Sequence, residues 1–559
     1  MPAKLNGPTE QIGKGAIAPP RPSRVEPVSV GELATLADAL LTTPGRADVV
    51  VTGATLRAQH VRRGDLFAAL PGARVHGADF AGDALAAGAA AILTDEAGAR
   101  RPAIRDAEEV RDGQVPVLIH RDPRAVVGEL AARIYGNPSR HLDVWGVTGT
   151  SGKTTTTYLI ESALAADGHD TGLIGTVETR IAGQRLDSAF TTPEAPDLQA
   201  LLAVMLERGV TAVVMEVSSH ALALGRVAGT HFAVGAFTNL SQDHLDFHQD
   251  MEDYFQTKAA LFDGRADVEV VCVDSEWGRR LVKPTTVTVA TVPPGQDDAD
   301  EPGPTWVAED VVVSPTGEQT FTAVNAAAGL SLPIGIALPG SFNVANALLA
   351  VGCLHAMEVG PDAIVRGLAA ARVPGRMERV DAGQDFTAVV DYSHKPAAVA
   401  VALDAVRARA TGRVIVALGC GGDRDTAKRP IMGEAAARRS DLLVVTDDNP
   451  RSEDPAAIRQ AMLAGALAVP ETERGEVIEV GDRRQAIRRA VAEAGPGDVV
   501  VIAGKGHETG QEVAGVVHPF SDRDELAAAI RATLGADNPG ANGSNANGGD
   551  ASGSNEETP

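Results

Sequence analysis

Short apolar runs alternate with longer stretches of mixed polar and apolar residues along most of the chain. The runs are rich in Val, Ile, Leu and Ala and end at Gly, Asp or Thr, which is typical of strands buried on both faces of a parallel sheet. Several stretches between them have the length and composition of helices. The pattern predicts a strand and turn at 49–53, a strand with its stop at 64–72, and strands at 90–94, 144–147, 212–217, 414–418, 442–446 and 499–503. It predicts helices at 79–88, 154–166 and 198–208. This alternation of strand and helix indicates an α/β protein.

The length of 559 residues exceeds what one hydrophobic core supports. We predict a small N-terminal α/β domain at 28–140, a central domain with a mononucleotide-binding parallel sheet at 141–371, and a Rossmann-like C-terminal α/β domain at 372–534. The two ends lack periodicity and are rich in turn-forming residues, so 1–27 and 535–559 are predicted to be disordered tails. A polar segment at 293–304 is predicted to be a surface loop.

The composition restricts the class of partner. The chain has 50 Lys and Arg against 74 Asp and Glu, a net charge of −24, which argues against a nucleic-acid binder or a membrane-surface protein. Its three cysteines are widely spaced, which indicates a reducing compartment and no zinc site. No apolar run suits a signal peptide or a membrane span, so we expect a cytoplasmic protein without membrane insertion.

One stretch has the features of a phosphate-binding loop. After the apolar run at 144–147 come Gly149, Thr150, Ser151, Gly152, Lys153, Thr154 and Thr155. The glycines allow the backbone N–H groups to turn inward, and the helix that follows points its positive dipole end at the same place. Lys153 adds a charge for the terminal phosphates, and the Thr154 hydroxyl can bind Mg²⁺. Only two residues separate the glycines, fewer than the four of the general pattern.

Two further clusters indicate a metal ion next to this loop. Glu216 ends a buried strand, where a carboxylate is a poor packing choice unless it serves a cation. The stretch 237–248 is dense in Asn, Asp and His, which favours a shared metal and phosphate site over isolated structural histidines. Lys258 lies among apolar residues on a predicted helix. Its spacing alone favours an ordinary lysine whose amine reaches solvent.

Nine stretches, taken in order, resemble the motifs of the Mur ligase family. They are 149–155 (GTSGKTT), 216–220 (EVSSH), 239–244 (NLSQDH), Lys258, 340–346 (GSFNVAN), 374–378 (PGRME), 391–392 (DY), 421–425 (GGDRD) and 504–508 (GKGHE). The resemblance covers roughly residues 28–534, and members of this family share the short glycine spacing. It implies an ATP-dependent amide ligase whose three domains hold a UDP-linked substrate, ATP and an incoming amino acid.

The resemblance also implies a set of nucleotide and metal ligands. Lys153, Glu216, His244 and Lys258 would be catalytic. Two Mg²⁺ ions would be bound, one by Thr154 and Glu216 and the other by His244 and Lys258, the latter carrying a carbamate derived from CO₂. Besides the loop residues 149–155, the implied ATP-binding residues are Asn343, Asn346, Arg376 and Asp391.

Within the family, the resemblance is to members that add the third peptide residue to UDP-N-acetylmuramoyl-L-alanyl-D-glutamate through an acyl-phosphate intermediate. Residues matching positions that bind this UDP-muramoyl-dipeptide are Thr191, Thr192, Ser218 and Arg226. The stretch 446–451 (TDDNPR) resembles the form found in members that add meso-diaminopimelate. Residues expected to bind that amino acid are Arg424, Asn449, Pro450, Arg451, Gly504 and Glu508.

Charge explains how diaminopimelate could be distinguished from lysine, because the two differ by one carboxylate at the far end. An arginine can grip that carboxylate with two parallel hydrogen bonds, and Glu508 has the opposite sign for the distal ammonium. Three alternatives stay open: a lysine-adding ligase, a folylpolyglutamate-type ligase and a nucleotide switch that controls partners by hydrolysis. The stretch 449–451 speaks against the first, the N-terminal domain against the second and the third α/β domain against the last. We expect a monomer.

Overall fold

A computed structural model describes residues 19–72, 74–186, 191–245, 247–291, 303–314 and 317–535. The chain divides into two compact units: unit one is Met1–Val373 and unit two is Pro374–Pro559. The parts of the predicted tails before residue 19 and after residue 535 lie outside the described residues, as does most of the predicted loop at 293–304. The three domain boundaries stay predictions.

The N-terminal part of unit one is a small α/β layer structure. Its strands are β1 (Val28–Ser29), β2 (Leu40–Leu41), β3 (Val50–Val51), β4 (Gly53–Thr55), β5 (Asp65–Ala68), β6 (Ala91–Thr94) and β7 (Val117–Ile119), and its helices are α1 (Val30–Leu36), α2 (Ala81–Ala86), α3 (Glu96–Ala99), α4 (Pro102–Arg105), α5 (Glu108–Arg111) and α6 (Pro123–Ile134). The five-stranded sheet has the order β2-β7-β6-β5-β4, parallel except for β2. Alternate residues of β5 face opposite cores: Leu66 packs with α1 and α6, and Phe67 packs with α2.

The central part of unit one is organised around a large mixed sheet. Its strands are β8 (Asp143–Thr148), β9 (Thr171–Ile174), β10 (Thr179–Ile181), β11 (Gln184–Leu186), β12 (Ala212–Glu216), β13 (Phe232–Phe237), β14 (Ala266–Cys272), β15 (Val287–Ala290), β16 (Trp306–Val313), β17 (Gln319–Asn325) and β18 (Leu330–Ile336). Its helices are α7 (Lys153–Ala166), α8 (Ala195–Glu207), α9 (Ser219–Ala223), α10 (Met251–Ala259), α11 (Glu276–Arg279), α12 (Phe342–Ala356) and α13 (Pro361–Ala370).

Strand β8 lies in the interior of this sheet, with strands on both sides of it. The 11-stranded sheet runs β11-β10-β9-β12-β8-β13-β14-β15-β16-β17-β18, with parallel pairing from β9 to β16 and antiparallel strands at both ends. Strand β8 lies between β12 and β13. The connection after β8 crosses one face of the sheet through α7, and the connection after β13 crosses the other face through α10. A point where neighbouring connections go to opposite faces forms a crevice outside the carboxyl ends of the strands.

Helices cover both faces of the sheet. Helices α7, α12 and α13 bury Leu159, Leu348 and Ile364 against one face. Helices α8 and α10 bury Leu202 and Phe255 against the other. The strands are therefore covered on both sides, which explains why the parallel strands read as continuous apolar runs in the sequence.

Residues just before β1 tie the two parts of unit one together, although they lie within the predicted tail. The Arg21 guanidinium is 2.6 Å from Asp65 Oδ1 at the start of β5. The Ser23 backbone N–H donates to the Glu207 carboxylate at the end of α8, with N···Oε2 3.0 Å. Val25 packs against Tyr135. This segment thus contacts both the N-terminal sheet and the central part.

Unit two has a six-stranded sheet with helices on both faces and a separate two-stranded antiparallel sheet. Its strands are β19 (Glu378–Arg379), β20 (Thr387–Asp391), β21 (Val414–Leu418), β22 (Leu442–Val445), β23 (Glu476–Glu479), β24 (Val499–Ala503), β25 (Gly510–Val513) and β26 (Val516–Pro519), and its helices are α14 (Pro396–Arg407), α15 (Lys428–Ala437), α16 (Pro455–Ala468), α17 (Arg483–Ala492) and α18 (Asp522–Thr533). The sheet order is β19-β20-β24-β21-β22-β23, parallel except for β19. Helices α14, α15 and α16 cover one face, and α17 and α18 cover the other.

The structure confirms the predicted α/β class and most of the central strands. The runs at 144–147, 212–217, 414–418, 442–446 and 499–503 form β8, β12, β21, β22 and β24. The strand and turn predicted at 49–53 are present as β3 and a bend at Thr52, whereas β4, which joins the parallel sheet, was not predicted. The predicted helix at 79–88 is shorter, because a 3-10 turn at Gly77–Phe80 precedes α2.

Candidate active site

The loop after β8 turns in a way that only glycine accommodates. Gly149 and Gly152 have φ angles of 142° and 89°. A Cβ on Gly149 would lie 1.9 Å from Thr238 Oγ1, and a Cβ on Gly152 would lie 2.2 Å from Asn346 Oδ1. Both glycines are therefore required by backbone conformation and by close neighbours. Helix α7 begins at Lys153, so its free N–H groups open onto the loop.

The end of β13 fixes the shape of the loop. Asn239 accepts from the Ser151 N–H through its Oδ1 at 3.0 Å and donates to the Ser151 carbonyl through its Nδ2 at 3.1 Å. Thr238 also donates to that carbonyl at 2.6 Å. The stretch 237–248, predicted to adjoin the loop, therefore does so, and Asn239 is the residue that fixes the loop backbone.

Two lysines reach the same loop carbonyl. Lys153 Nζ donates to the carbonyls of Gly149 and Thr150 at 2.9 and 3.0 Å. Lys258, on α10, donates to the Gly149 carbonyl at 2.8 Å. The Lys258 residue is 1% exposed, so the interpretation of Lys258 as a lysine that reaches solvent was wrong. Its amine lies instead inside the fold, beneath the phosphate loop.

Glu216 ends β12 beside the first turn of α7. Its buried carboxylate accepts from Thr154 Oγ1 at 3.0 Å, from the Thr176 N–H at 2.7 Å and from Thr176 Oγ1 at 3.1 Å. Glu216 and Thr154 were predicted together, whereas Thr176 was missed. Its only signal in the sequence is its position one residue beyond Gly175, just after β9.

The donor set at Glu216 fits a magnesium ion. Mg²⁺ prefers oxygen ligands and is commonly held by one or two carboxylates together with substrate phosphates. Within the described ranges, no group of three or more His, Cys, Asp or Glu side chains could hold a metal ion. A cation between Thr154 and Glu216 would share its coordination with other oxygen ligands, because one hydroxyl and one carboxylate fill only part of an octahedral Mg²⁺ shell.

Aromatic rings connect His244 with the Lys258 region. The His244 ring is 4.9 Å from the His220 ring and 6.3 Å from the Tyr254 ring, measured between centroids. The Lys258 amine lies 4.6 Å from the centre of the Tyr254 ring. Tyr254 in turn bonds Thr150 through its hydroxyl at 3.2 Å, and burial raises the pKa of Tyr254, so the phenol stays protonated. His244, 43% exposed, has a left-handed backbone with φ 52°.

The four residues predicted to bind the UDP-linked substrate lie together at the end of β12. The Thr192 hydroxyl donates to the Glu216 carbonyl at 2.8 Å and accepts from the Ser218 N–H at 3.4 Å. Arg226 donates to the Thr192 carbonyl at 3.3 Å. Thr191 accepts from Thr176 Oγ1 at 3.1 Å. The group therefore lies next to Glu216: Thr192 bonds its backbone carbonyl, and Thr191 bonds Thr176, which also bonds the Glu216 carboxylate.

Asn343 and Asn346 lie on the first turn of α12. Asn346 Nδ2 donates to Asn343 Oδ1 at 3.0 Å, and Asn343 Nδ2 donates to the Pro339 carbonyl at 2.7 Å. Because this chain of bonds fixes the orientation of both amides, Asn346 Oδ1 is held next to Gly152 of the phosphate loop. The structure thus brings the predicted pair to the edge of the loop.

The remaining predicted ATP-binding residues, Arg376 and Asp391, lie in unit two. Asp391 accepts from the Met377 N–H at 2.8 Å and from the Ser393 N–H at 2.9 Å. Met377 has φ 48°, so the carboxylate holds the turn after Arg376 in a strained form. The Arg376 guanidinium lies 4.2 Å from the centre of the Tyr392 ring. Asp391 thus positions the segment that carries Arg376.

The carboxyl ends of β21, β22 and β24 bring polar residues together, as expected for adjacent parallel strands. Asn449 Nδ2 donates to Glu508 Oε2 at 2.8 Å. Arg451 donates to the Gly422 carbonyl at 2.6 Å and has φ 54°, and its backbone N–H donates to the Glu512 carbonyl at 3.0 Å. Burial and the nearby Asp448 carboxylate raise the pKa of Glu508.

Arg424 and Gly504 complete the predicted amino-acid site. Arg424 is exposed on the loop after β21, and this loop is joined to the next strand end by Ser452, whose hydroxyl donates to Asp423 at 2.7 Å. Gly504 follows β24 with φ 112°, and a Cβ there would lie 3.0 Å from Asp448 Oδ2. Lys505, which was quoted within a motif but given no role, is fully buried beside Glu508.

These features define the class of the protein. A glycine-bracketed loop between a central parallel strand and a helix, with a buried acid on the neighbouring strand, is the arrangement of nucleotide-binding α/β enzymes. Residues 50–135 match the description "Mur ligase family, catalytic domain", residues 147–354 match "Mur ligase middle domain", and residues 375–506 match "Mur ligase, glutamate ligase domain". The chain belongs to the Mur ligase family.

Relatives match over most of their length. A UDP-N-acetylmuramoyl-L-alanyl-D-glutamate--2,6-diaminopimelate ligase of Corynebacterium glutamicum is 54% identical over 475 residues, which cover 84% of this chain and 89% of the relative. The protein of the same name from Streptomyces coelicolor is 53% identical over 520 residues, 92% of this chain and 99% of the relative. A solved structure of a ligase of that name is 29% identical with a TM-score of 0.63 and covers 91% of this chain and 100% of its own.

None of the helices within the described ranges is long and apolar enough to span a bilayer.

Proposed function

We propose that the protein is an ATP-dependent ligase that joins meso-diaminopimelate to UDP-N-acetylmuramoyl-L-alanyl-D-glutamate, a step of peptidoglycan precursor synthesis. The observation that carries the proposal is the 53% identity over 520 residues to a ligase of that name, because this match spans 92% of the chain, far beyond the phosphate loop. The geometry of both units agrees with it. The cytoplasmic location and the monomeric state stay predictions.

The reaction makes an amide from a carboxylate, whose oxygen is a poor leaving group. The γ-phosphoryl group of ATP passes to the glutamyl carboxylate, the resulting acyl phosphate is attacked by the amine of diaminopimelate, and inorganic phosphate leaves. In our proposal the backbone N–H groups of the loop 149–155 bind the ATP phosphates. Lys153 moves from the loop carbonyls to the terminal phosphates, where its charge offsets the approach of two anions.

The proposed metal ligands are those that the family resemblance implies. Thr154 and Glu216 would hold one Mg²⁺, and His244 and a carbamylated Lys258 would hold a second. When bound, Mg²⁺ neutralises charge on the transferring phosphoryl group. The carbamate proposal is supported by the burial of Lys258 and by its position beneath the loop, since CO₂ turns the amine into an anionic oxygen donor that suits a hard cation. Thr176 would keep the Glu216 carboxylate oriented through its two hydrogen bonds.

The proposed substrate-binding residues match the polar and charged groups of the two substrates. Thr191, Thr192, Ser218 and Arg226 would bind the muramoyl-dipeptide, whose amides and carboxylates suit hydroxyl and guanidinium donors. In unit two, Arg424 and Arg451 would bind the distal carboxylate of diaminopimelate, and Glu508 would bind the distal ammonium, with Asn449, Pro450 and Gly504 shaping the site. Asn343 and Asn346 in unit one are proposed to bind the nucleotide, and so are Arg376 and Asp391 in unit two.

Amino-acid-dependent phosphate release tests the proposed function. With ATP, Mg²⁺ and the UDP-muramoyl-dipeptide, we expect phosphate release only after diaminopimelate is added. L-Lysine should have a kcat/KM at least about a hundredfold lower, because it would leave buried charged groups of the site unpaired. Equal rates with the two amino acids would support a lysine-adding ligase. Hydrolysis without any amino acid would support a nucleotide switch.

A further inference from the structure

A buried charge cluster lies where β22 and β24 end. The Lys505 side chain is 0% exposed, and its Nζ donates to Asn449 Oδ1 at 2.8 Å and to Glu508 Oε2 at 3.0 Å. Asp448 Oδ1 lies 3.5 Å from the same nitrogen. A lysine is almost never fully buried unless it is paired, and here three side chains face its ammonium. This placement needs an explanation, because an apolar residue would fill the position at less cost.

The bonds around Asn449 show what Lys505 fixes. Asn449 Oδ1 accepts both from Lys505 Nζ and from the Glu512 N–H, at 2.8 and 3.0 Å. Two donors on one side of the amide require that its oxygen faces them, so the Asn449 NH₂ group must face Glu508, to which it donates at 2.8 Å. Lys505 therefore orients Asn449 and holds Glu508 at the same time.

The charges of the cluster do not balance. Arg483 and Asp522 are fully buried and pair with each other, with Nε···Oδ1 2.7 Å, and Arg483 also donates to the Ala503 carbonyl at 2.9 Å. Lys505 is then the one described cation in contact with the two carboxylates Asp448 and Glu508. The cluster keeps one negative charge in excess, and Glu508, whose side chain is 33% exposed, is where it reaches the surface.

We propose that Lys505 is a positioning residue of the amino-acid site: it orients Asn449 and Glu508 and leaves a single negative charge for one substrate ammonium. The inference rests on the proposed function, since it concerns the site for diaminopimelate. Lys505 does not touch the substrate in this account. Its buried ammonium cancels one of the two carboxylate charges, so that the site accepts one cation and keeps a fixed shape.

Two variants test this role. Lys505→Met removes the charge and the hydrogen bonds but leaves Asp448 and Glu508 facing each other, which can prevent folding. The double variant Asp448→Asn/Lys505→Met restores the charge balance without restoring the bonds to Asn449 and Glu508. For each folded variant we expect the KM for diaminopimelate to rise about tenfold or more, which corresponds to about 1.4 kcal/mol of lost binding. The KM values for ATP and the UDP-linked substrate should change less than about twofold.

The control is Arg484→Met, which removes a cation from the exposed pair with Glu525 next to the buried Arg483 and should leave all KM values unchanged. A folded double variant whose diaminopimelate KM stays within threefold of the wild type would overturn the inference. An equal rise in the KM of every substrate would also overturn it, because that is the effect of a general structural role. Failure of the proposed function would differ from both, since the wild-type protein itself would form no product.

Discussion

Replacing Lys153 by Met should lower kcat by about a hundredfold to a thousandfold, the usual cost of removing one charged group aimed at the transition state. The Lys153 ammonium lies on the carbonyls of Gly149 and Thr150, at the mouth of the loop, so it needs only a side-chain rotation to reach a bound phosphate. Methionine has a similar length and keeps the helix start intact. The measurement is the rate of diaminopimelate-dependent phosphate release at saturating substrates.

The matched control for this variant is Lys283→Met. Lys283 pairs with Glu269 at 2.7 Å in the same unit and contacts no residue of the proposed site among those described. It should retain nearly full kcat, and both variants should unfold near the wild-type temperature. A Lys153→Met protein that keeps more than a tenth of the wild-type kcat would remove Lys153 from the proposed phosphate chemistry.

Arg451→Ala should lower kcat/KM for diaminopimelate by about a hundredfold, because a charged hydrogen-bonded pair contributes about 1.5–3 kcal/mol and a carboxylate would also be left unpaired. The same variant should leave the KM for ATP unchanged. The Gly422 carbonyl and Glu512 hold the Arg451 guanidinium at the strand ends, with distances of 2.6 and 3.5 Å. Steady-state kinetics with each substrate varied in turn provide the measurement.

Two further variants serve as comparisons for Arg451→Ala. Arg451→Lys keeps the charge but loses the planar fork, so we expect it to recover little of the lost kcat/KM. Arg438→Ala removes an arginine that follows α15 at the opposite edge of the sheet, where it pairs with Glu434 and Glu473, and it should have no effect. Unchanged diaminopimelate kinetics in Arg451→Ala would contradict the assignment.

The buried parallel strands were predictable because the residues that identify each of them lie in one continuous stretch of sequence. A strand covered on both faces, such as β8, β12 or β24, must be apolar throughout, and that signal is present in the sequence itself. Pairing between distant strands has no such signal. The antiparallel strands β16, β17 and β18 extend the central sheet, yet their alternating and partly exposed residues were not recognised. Strand β4, which pairs with β5 in the parallel sheet, was not predicted for the same reason.

The sequence offered a candidate site where a residue type carries its own chemistry. Glycines with a lysine and a hydroxyl indicated a phosphate-binding loop, and a carboxylate at the end of a buried strand indicated Glu216. Lys258 was different: its spacing indicated an ordinary lysine, and only the family resemblance suggested a role. Its burial arises from a contact with Gly149, 109 residues away. Thr176 and Lys505 contact Glu216 and Asn449 through hydrogen bonds, which leave no visible signal in the sequence.

In the proposed reaction the substrate carboxylate takes a phosphoryl group before the amide forms. Transfer of ¹⁸O from that carboxylate to inorganic phosphate tests this step. The UDP-muramoyl-dipeptide is prepared with ¹⁸O in the glutamyl carboxylate that reacts, and the protein is supplied with ATP, Mg²⁺ and meso-diaminopimelate. Mass spectrometry of the products should show the tripeptide together with inorganic phosphate that carries one ¹⁸O atom. Tripeptide formed together with unlabelled phosphate would contradict the account.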